Sequence, residues 1–386
     1  MTRTSKKLTA GLFIFTVLTL GALSLRSLAN YGGAEKLDPI NGELARDLES
    51  HYDDKFPVRD LGTNIWAAIN YIVFDEGRPG VTIGRENWLF TDEEMFPATD
   101  NPELIDTNLE RVAEVSRFLR SQNIPLIVLV VPSKARVHAE KLGDTRPAPE
   151  MQALYPRFLE RLESEGIAAP ALLDDLEKAE RRGTQVFLRT DTHWSPAGAE
   201  VFARHASGFI RHVRDDQSWG EQTFVTTLGE PLRHEGDLLN YLPLDPLFED
   251  LGPSPDRFNE RETVKAKKNG ETANDLLFSN QQTDLVLVGT SYSANPLWDF
   301  PGALRRYLGK DLINLAEEGQ GPFEPMIEYL QSGEFRSNRP SLVLWEFPER
   351  YLAQPIESEQ ALAWFGNTSH QLAVATNPNQ STPEEH

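Results

Sequence analysis

Residues Leu285 to Val288 read Leu-Val-Leu-Val, an unbroken apolar run that ends at Gly289. The run places no polar residue on either side of a strand. Such a strand is buried on both faces, as in a parallel sheet covered by helices. Thr290, Ser291, Tyr292 and Ser293 follow directly. In α/β sheets the carboxyl ends of the strands open onto a crevice, and reacting groups collect there. Ser291 is therefore the candidate nucleophile. Taken alone, Gly-Thr-Ser also suits a turn in which serine bonds its own backbone.

The rest of the chain repeats the same alternation. Leu104, Leu109, Val112, Val115 and Leu119 share a helical face, and Pro125 opens a second continuous apolar run, Leu126 to Val131. Met151, Leu154, Phe158 and Leu162 mark another helix, ended by Gly166, before a short strand at Val186-Phe187-Leu188. Ser195 caps a helix with Pro196 in its first position. After Ser291 come a helix from Pro301, a strand at Leu312–Leu315, a helix from Phe323 and a strand at Leu342–Phe347. Repeated βα units define an α/β chain with a central parallel sheet flanked by helices. Upstream, Leu61, Ile65, Ala68, Ile69 and Ile72 have helical spacing, and residues 81–84 and 88–90 read as a hairpin about Arg85–Asn87. The stretch 219–280, rich in Pro and charge, reads as an irregular insertion with at most short strands. The polar tail 367–386 reads as disordered.

The first 29 residues read as a leader outside the fold. Arg3, Lys6 and Lys7 precede 18 apolar or small residues, Leu8 to Leu25, closed by Arg26. That length suits an uncleaved signal anchor, although Ser27-Leu28-Ala29 is a usable cleavage site. Either way, residues from 30 onward are expected outside the inner membrane, anchored on its periplasmic side or free in the periplasm after cleavage. The formal net charge of the whole chain is −21, which argues against a nucleic-acid partner. Removing the four positive charges of the leader from −21 leaves −25 on the exported part. There are no cysteines, so neither disulfides nor thiolate metal sites can form.

A second motif complements the first. Arg189-Thr190-Asp191-Thr192-His193-Trp194 lies between the Val186 strand and the helix capped by Ser195. Asp191 and His193 are two apart, so in extended backbone they leave the same face. A carboxylate beside an imidazole fixes the ring's tautomer and stabilises its charged form, as a serine nucleophile requires. Asp-x-His also supplies two metal ligands, but no third ligand stands at companion spacing, so no metal is expected.

These two motifs, with Gly84–Phe90, Val131-Pro132-Ser133-Lys134 and Trp345-Glu346-Phe347-Pro348-Glu349-Arg350, resemble the SGNH-like acetyltransferases of bacterial exopolysaccharide pathways. In that family Asp-x-His precedes the serine, whereas ordinary SGNH esterases place an Asp-x-x-His last. The resemblance implies a three-layer SGNH-hydrolase-like fold with no cofactor, in which Ser291 is nucleophile, His193 general base and Asp191 its orienter. It implies acetylation of mannuronate hydroxyls of alginate, or of a similar polymer such as cellulose, in the periplasm. It also implies work beside a multispanning membrane acyltransferase and other periplasmic acetylation proteins. An acetylesterase and a non-catalytic polysaccharide-binding subunit are the alternatives.

Around such a centre, the Ser291 N–H and the backbone at Gly319 or Gly321 are oxyanion candidates. Trp194 and Tyr292 are candidates for stacking on a sugar ring. Lys134 and Arg189 are candidates for meeting a uronate carboxylate, which a strongly acidic protein would otherwise repel. Glu346 is expected to serve structure, pairing with Arg350.

Overall fold

The computed structural model describes residues 7, 11, 13–22, 31–32, 40–54, 59–266 and 283–376, with backbone alone for 53–54, 60 and 368–376. Most of the leader, residues 33–39 and 55–58, the segment 267–282 that precedes the serine motif, and residues 377–386 lie outside them. Among the described residues no helix is long and apolar enough to cross a membrane.

The chain divides into two units, Met1–Arg78 with Leu242–Gly252, and Pro79–Tyr241 with Pro253–His386. The first holds the helices Glu43–Asp54 and Arg59–Ile69, the latter ending in a π-turn at Asn70–Phe74. The helical spacing read over this stretch is real, but Leu61, Ile65, Ile69 and Ile72 are exposed, and Ala68 is the apolar side chain of that set which is buried.

The second unit contains the sheet. A short hairpin, β1 (Val81–Ile83) and β2 (Leu89–Thr91), precedes it. The central strands are β3 (Leu126–Val131), β6 (Leu285–Val288), β7 (Ile313–Asn314) and β8 (Leu342–Pro348). They lie in the order β3-β8-β6-β7 and every pairing is parallel. Leu285 and Leu287 enter one core with Phe202, Phe300 and Leu304, whereas Val286 and Val288 enter another with Phe158, Phe323 and Trp364. Period-two alternation thus feeds two apolar layers, which is why no position of β6 is polar. Helices Leu173–Arg181, Pro196–Val213 and Phe300–Leu308 cover the first face. Helices Leu104–Ser121, Pro149–Ser164, Phe323–Gln331 and Glu359–Thr376 cover the second.

Three readings change. Val186-Phe187-Leu188 joins no sheet; its single bridge is Phe187 to Trp194, so the Asp-x-His segment is a closed loop and not the end of a sheet strand. The stretch read as an irregular insertion holds a long antiparallel ribbon, β4 (Phe224–His234) against β5 (Asp256–Lys265), with a register shift between Leu228 and Pro231. Largely exposed on both faces, this ribbon has no apolar alternation for a sequence reading to find. The helix Glu359–Thr376 also continues into what was read as tail.

Candidate active site

The turn after β6 is shaped by what lies beneath it. A Cβ at Gly289 would stand 2.4 Å from Glu346 Oε2, so only glycine lets the strand pass this side chain of β8. The fully buried Glu346 carboxylate accepts from Thr290 N at 2.8 Å, from Thr290 Oγ1 at 3.1 Å and from Ser293 Oγ at 3.0 Å. Thr290 in turn caps a single helical turn, Ser291–Ala294, accepting from Tyr292 N at 3.3 Å. Ser291 is the first residue of that turn and is half-buried. Its hydroxyl stands at the rim of the sheet, and its N–H has no acceptor within the helix.

The second segment reaches the same rim from a loop. Ser195 N donates to Val186 O at 2.8 Å and Leu188 N to His193 O at 3.1 Å, closing the loop at its base. Gly198 allows the closure, since a Cβ there would lie 2.0 Å from Val186 O. The buried Asp256 of β5 holds the loop's shoulder, accepting from Arg189 N at 3.0 Å, Thr190 N at 2.8 Å and Thr190 Oγ1 at 2.6 Å. The Lys134 ammonium underpins it by donating to three carbonyls: Leu89 at 2.5 Å, Asp191 at 2.9 Å and Arg189 at 3.0 Å.

These supports bring Asp191, His193 and Ser291 together. Asp191 Oδ1 lies 2.7 Å from His193 Nδ1 and accepts from His193 N at 2.9 Å. His193 Nε2 lies 2.7 Å from Ser291 Oγ. With the Nδ1 proton assigned toward the carboxylate, Nε2 is the acceptor for the serine O–H. Trp298 stacks on the imidazole at 5.4 Å between centroids with a 24° interplanar angle. Tyr292 flanks it at 4.8 Å.

Charge at the centre is set by burial against partners. Burial alone would push the Asp191 carboxyl up, but hydrogen bonds from His193 and His234, with the charge of His193, hold it far below the usual carboxylate range. Burial brings the Lys134 ammonium down to about 8, against the pull of Glu94, Asp256, Asp191 and Asp237. Burial raises Glu346 to about 7 despite its three donors.

Several expected substrate contacts take other places. Trp194 and Tyr292 are each 1% exposed and cannot stack on a sugar. Trp194 packs on Phe202 and Phe300, and the Tyr292 hydroxyl donates to Thr192 O at 2.7 Å while accepting from Arg350 at 2.9 Å. Lys134 is fully buried and spends its donors on carbonyls, so it cannot meet a uronate. Arg189 is partly exposed and donates to Ser254 O at 2.5 Å. Gly319 and Gly321 adopt left-handed φ of 76° and 64° and line a cavity of about 510 Å³ with Phe323 and Tyr351; its lining includes none of Asp191, His193 and Ser291. Arg350 pairs with Glu93 at 3.0 Å, not with Glu346.

The residues that sequence reasoning missed come from the ribbon and the turn after it. His234 Nε2 lies 2.7 Å from Asp191 Oδ2, and Asp237 N donates to the same oxygen at 3.2 Å. The Asp237 carboxylate accepts from Thr192 N at 2.8 Å and from the Thr192 hydroxyl. Gly236 was the available signal: a Cβ there would lie 2.1 Å from Thr190 O, so His-Glu-Gly-Asp marks a close backbone crossing. Among the described residues, Asp191, His193 and Asp237 form one grouping of metal-type ligands, with donor atoms within 4.8 Å. Both His193 nitrogens are already engaged, so an ion there would displace a bond to Asp191 or Ser291.

The parallel sheet, its two helical layers and a serine at the strand rim define an SGNH-hydrolase-like domain. The family described as "SGNH hydrolase-like domain, acetyltransferase AlgX" matches residues 81–349. The chain is 43% identical to "Probable alginate O-acetylase AlgJ" of Pseudomonas fluorescens over 100% of its own length and 97% of that protein's. It is 47% identical to the protein of the same name from Pseudomonas aeruginosa, covering 89% of this chain and 88% of the relative. Among solved structures, the "O-Acetyltransferase Domain of Pseudomonas putida AlgJ" matches with a TM-score of 0.68 and 40% identity, over 76% of this chain and all of that one. The chain belongs to the AlgX/AlgJ family of SGNH-hydrolase-like acetyltransferases.

Proposed function

We propose that this acetyltransferase acetylates mannuronate hydroxyls of alginate in the periplasm through an acetyl group carried on Ser291. The alginate reading draws on the names of the relatives. The observation that carries the mechanism is the unbroken chain of 2.7 Å contacts from Asp191 to His193 to Ser291.

In the first half, His193 Nε2 takes the Ser291 proton as the serine oxygen bonds to the carbonyl carbon of an acetyl ester. The tetrahedral oxyanion is met by the Ser291 N–H. Its collapse breaks the bond to the donor's leaving oxygen, which receives the proton from His193. In the second half a sugar hydroxyl gives its proton to His193 and attacks the acetyl carbon. The Ser291 oxygen leaves and recovers the proton. Asp191 stabilises the imidazolium in both halves, and oxyanion donors of this kind contribute about 3 kcal/mol each.

The basic and apolar pattern of the first 29 residues supports a site of action at the periplasmic side of the inner membrane, where a multispanning acyltransferase would deliver the acetyl group. The test uses the exported part of the chain with an activated acetyl ester, with and without oligomannuronate, and weighs the products. Mass gain on the oligosaccharide, lost in Ser291→Ala, is the expected result. Release of acetate with no gain on sugar would make the protein an esterase, with water as acceptor. Unchanged polymer acetylation in cells carrying Ser291→Ala would make it a binding subunit.

A further inference from the structure

The Asp191 carboxylate lies between two imidazoles. His193 takes Oδ1 at 2.7 Å, and His234, from the end of β4, takes Oδ2 at 2.7 Å. Nothing in the acyl-transfer steps uses the second ring. Yet it is built in with care. Trp298 stacks on His193 and meets His234 edge-on at 5.6 Å and 86°, so one indole wedges both imidazoles. Phe258 closes the other side at 5.5 Å from His234. In the ribbon His234 pairs directly with Asp256, the carboxylate that holds Thr190 and the shoulder of the Asp-x-His loop. The ribbon is thus tied to the loop twice, through Asp256 to its backbone and through His234 to its carboxylate.

We propose that His234 is a positioning residue for the acyl transfer, one that fixes the second oxygen of Asp191 so that the first stays aimed at His193. The proposal rests on the reading of Asp191, His193 and Ser291 as the reacting group. Asp237 N reaches the same oxygen, Oδ2, only at 3.2 Å, so the shorter bond from His234 is the main restraint on rotation of the carboxylate about its Cβ–Cγ bond. His234 also draws electron density from Asp191 and thereby limits how firmly the carboxylate holds the charged form of His193. The charged and titratable groups facing His234 are Asp191 from the loop, Asp256 from β5 and Asp237 from the following turn; Asp191 foremost, with the other two, outweighs burial and favours its protonated form. The remaining neighbours, Phe258 and Trp298, are aromatic walls.

The test compares His234→Phe, which fills the space without a donor, and His234→Gln, which keeps an N–H near the carboxylate. Activity is read with an activated acetyl ester, and Ser291→Ala serves as the control for the underlying reading. The Phe variant is expected to lose about tenfold in kcat with KM within about twofold, the scale of one lost hydrogen bond to a charged group. Its acid limb should move to higher pH, because Asp191 then keeps more charge for His193. The Gln variant should recover most of kcat. The downfield resonance of the His193 Nδ1 proton should shift in the Phe variant and return toward the native position in the Gln variant. A Phe variant with native kcat and pH profile would overturn the proposal. So would a Gln variant that gains nothing over Phe while the His193 resonance stays native in both. Activity surviving in Ser291→Ala would instead overturn the reading on which the proposal rests.

Discussion

Asp191 accepts four hydrogen bonds, from the backbone and ring of His193, from His234 and from Asp237 N. An asparagine in its place keeps the shape but loses the charge and presents an amide N–H to one of its donors. Asp191→Asn should therefore lower kcat by roughly a thousandfold or more with little change in KM, measured on an acetyl ester. The same bonds link the site to stability. Because the folded carboxyl titrates far below its unfolded value of about 3.9, its contribution is present above that pH and is lost as acid protonates it. Urea unfolding between pH 6 and pH 3 should therefore show wild type losing more stability than Asp191→Asn. The residues of this centre were legible unevenly. Ser291 announced itself by following Gly289 at the end of an apolar strand, and Asp-x-His by its spacing. His234 carried no such mark, because its partner lies 43 positions away and its strand has no apolar alternation.

At the scale of elements, the nucleophile turn is held by one buried side chain of the neighbouring strand. β8 places Glu346 under the β6 exit, and no local pattern in either strand reveals that crossing. Glu346→Ala would strand the buried Thr290 N–H, a penalty of about 1–3 kcal/mol, and loosen the Ser291 turn, so both melting temperature and kcat should fall. Glu346→Gln separates charge from shape. Since burial raises the folded Glu346 to about 7, its favourable contribution is full below the unfolded value of about 4.5 and is lost as pH rises through 7. The glutamine variant should lose less stability than wild type between pH 5 and pH 8, measured by chemical unfolding. The strands themselves were readable because β3 and β6 are apolar throughout. Trp194, Tyr292 and Lys134 were misplaced for a related reason: a motif tells which residues are adjacent in sequence, and only packing tells which of them face solvent. All three are buried.

For the whole molecule, charge poses the sharpest question. On the proposed function, a chain at −21 overall must approach a polyuronate, which brings two anions together, and the lysine expected to ease that approach is buried. Repulsion between them is long-ranged and screened by salt. Raising ionic strength from low to physiological should thus lower KM for oligomannuronate while leaving KM for a neutral acetyl ester unchanged, and steady-state kinetics with both substrates reads the difference. The layered α/β architecture was recoverable from hydrophobic runs alone. The ribbon was not, since its residues serve a crossing between distant segments and not a core.

The proposed mechanism requires an acetyl group residing on Ser291. Rapid mixing with an activated acetyl ester, acid quench and mass spectrometry of the peptide carrying that residue measures it directly. An acetyl mass on Ser291 that discharges when oligomannuronate is added, and is absent from His193→Ala, is the predicted result. Turnover to acetylated sugar with that peptide unmodified throughout would contradict it.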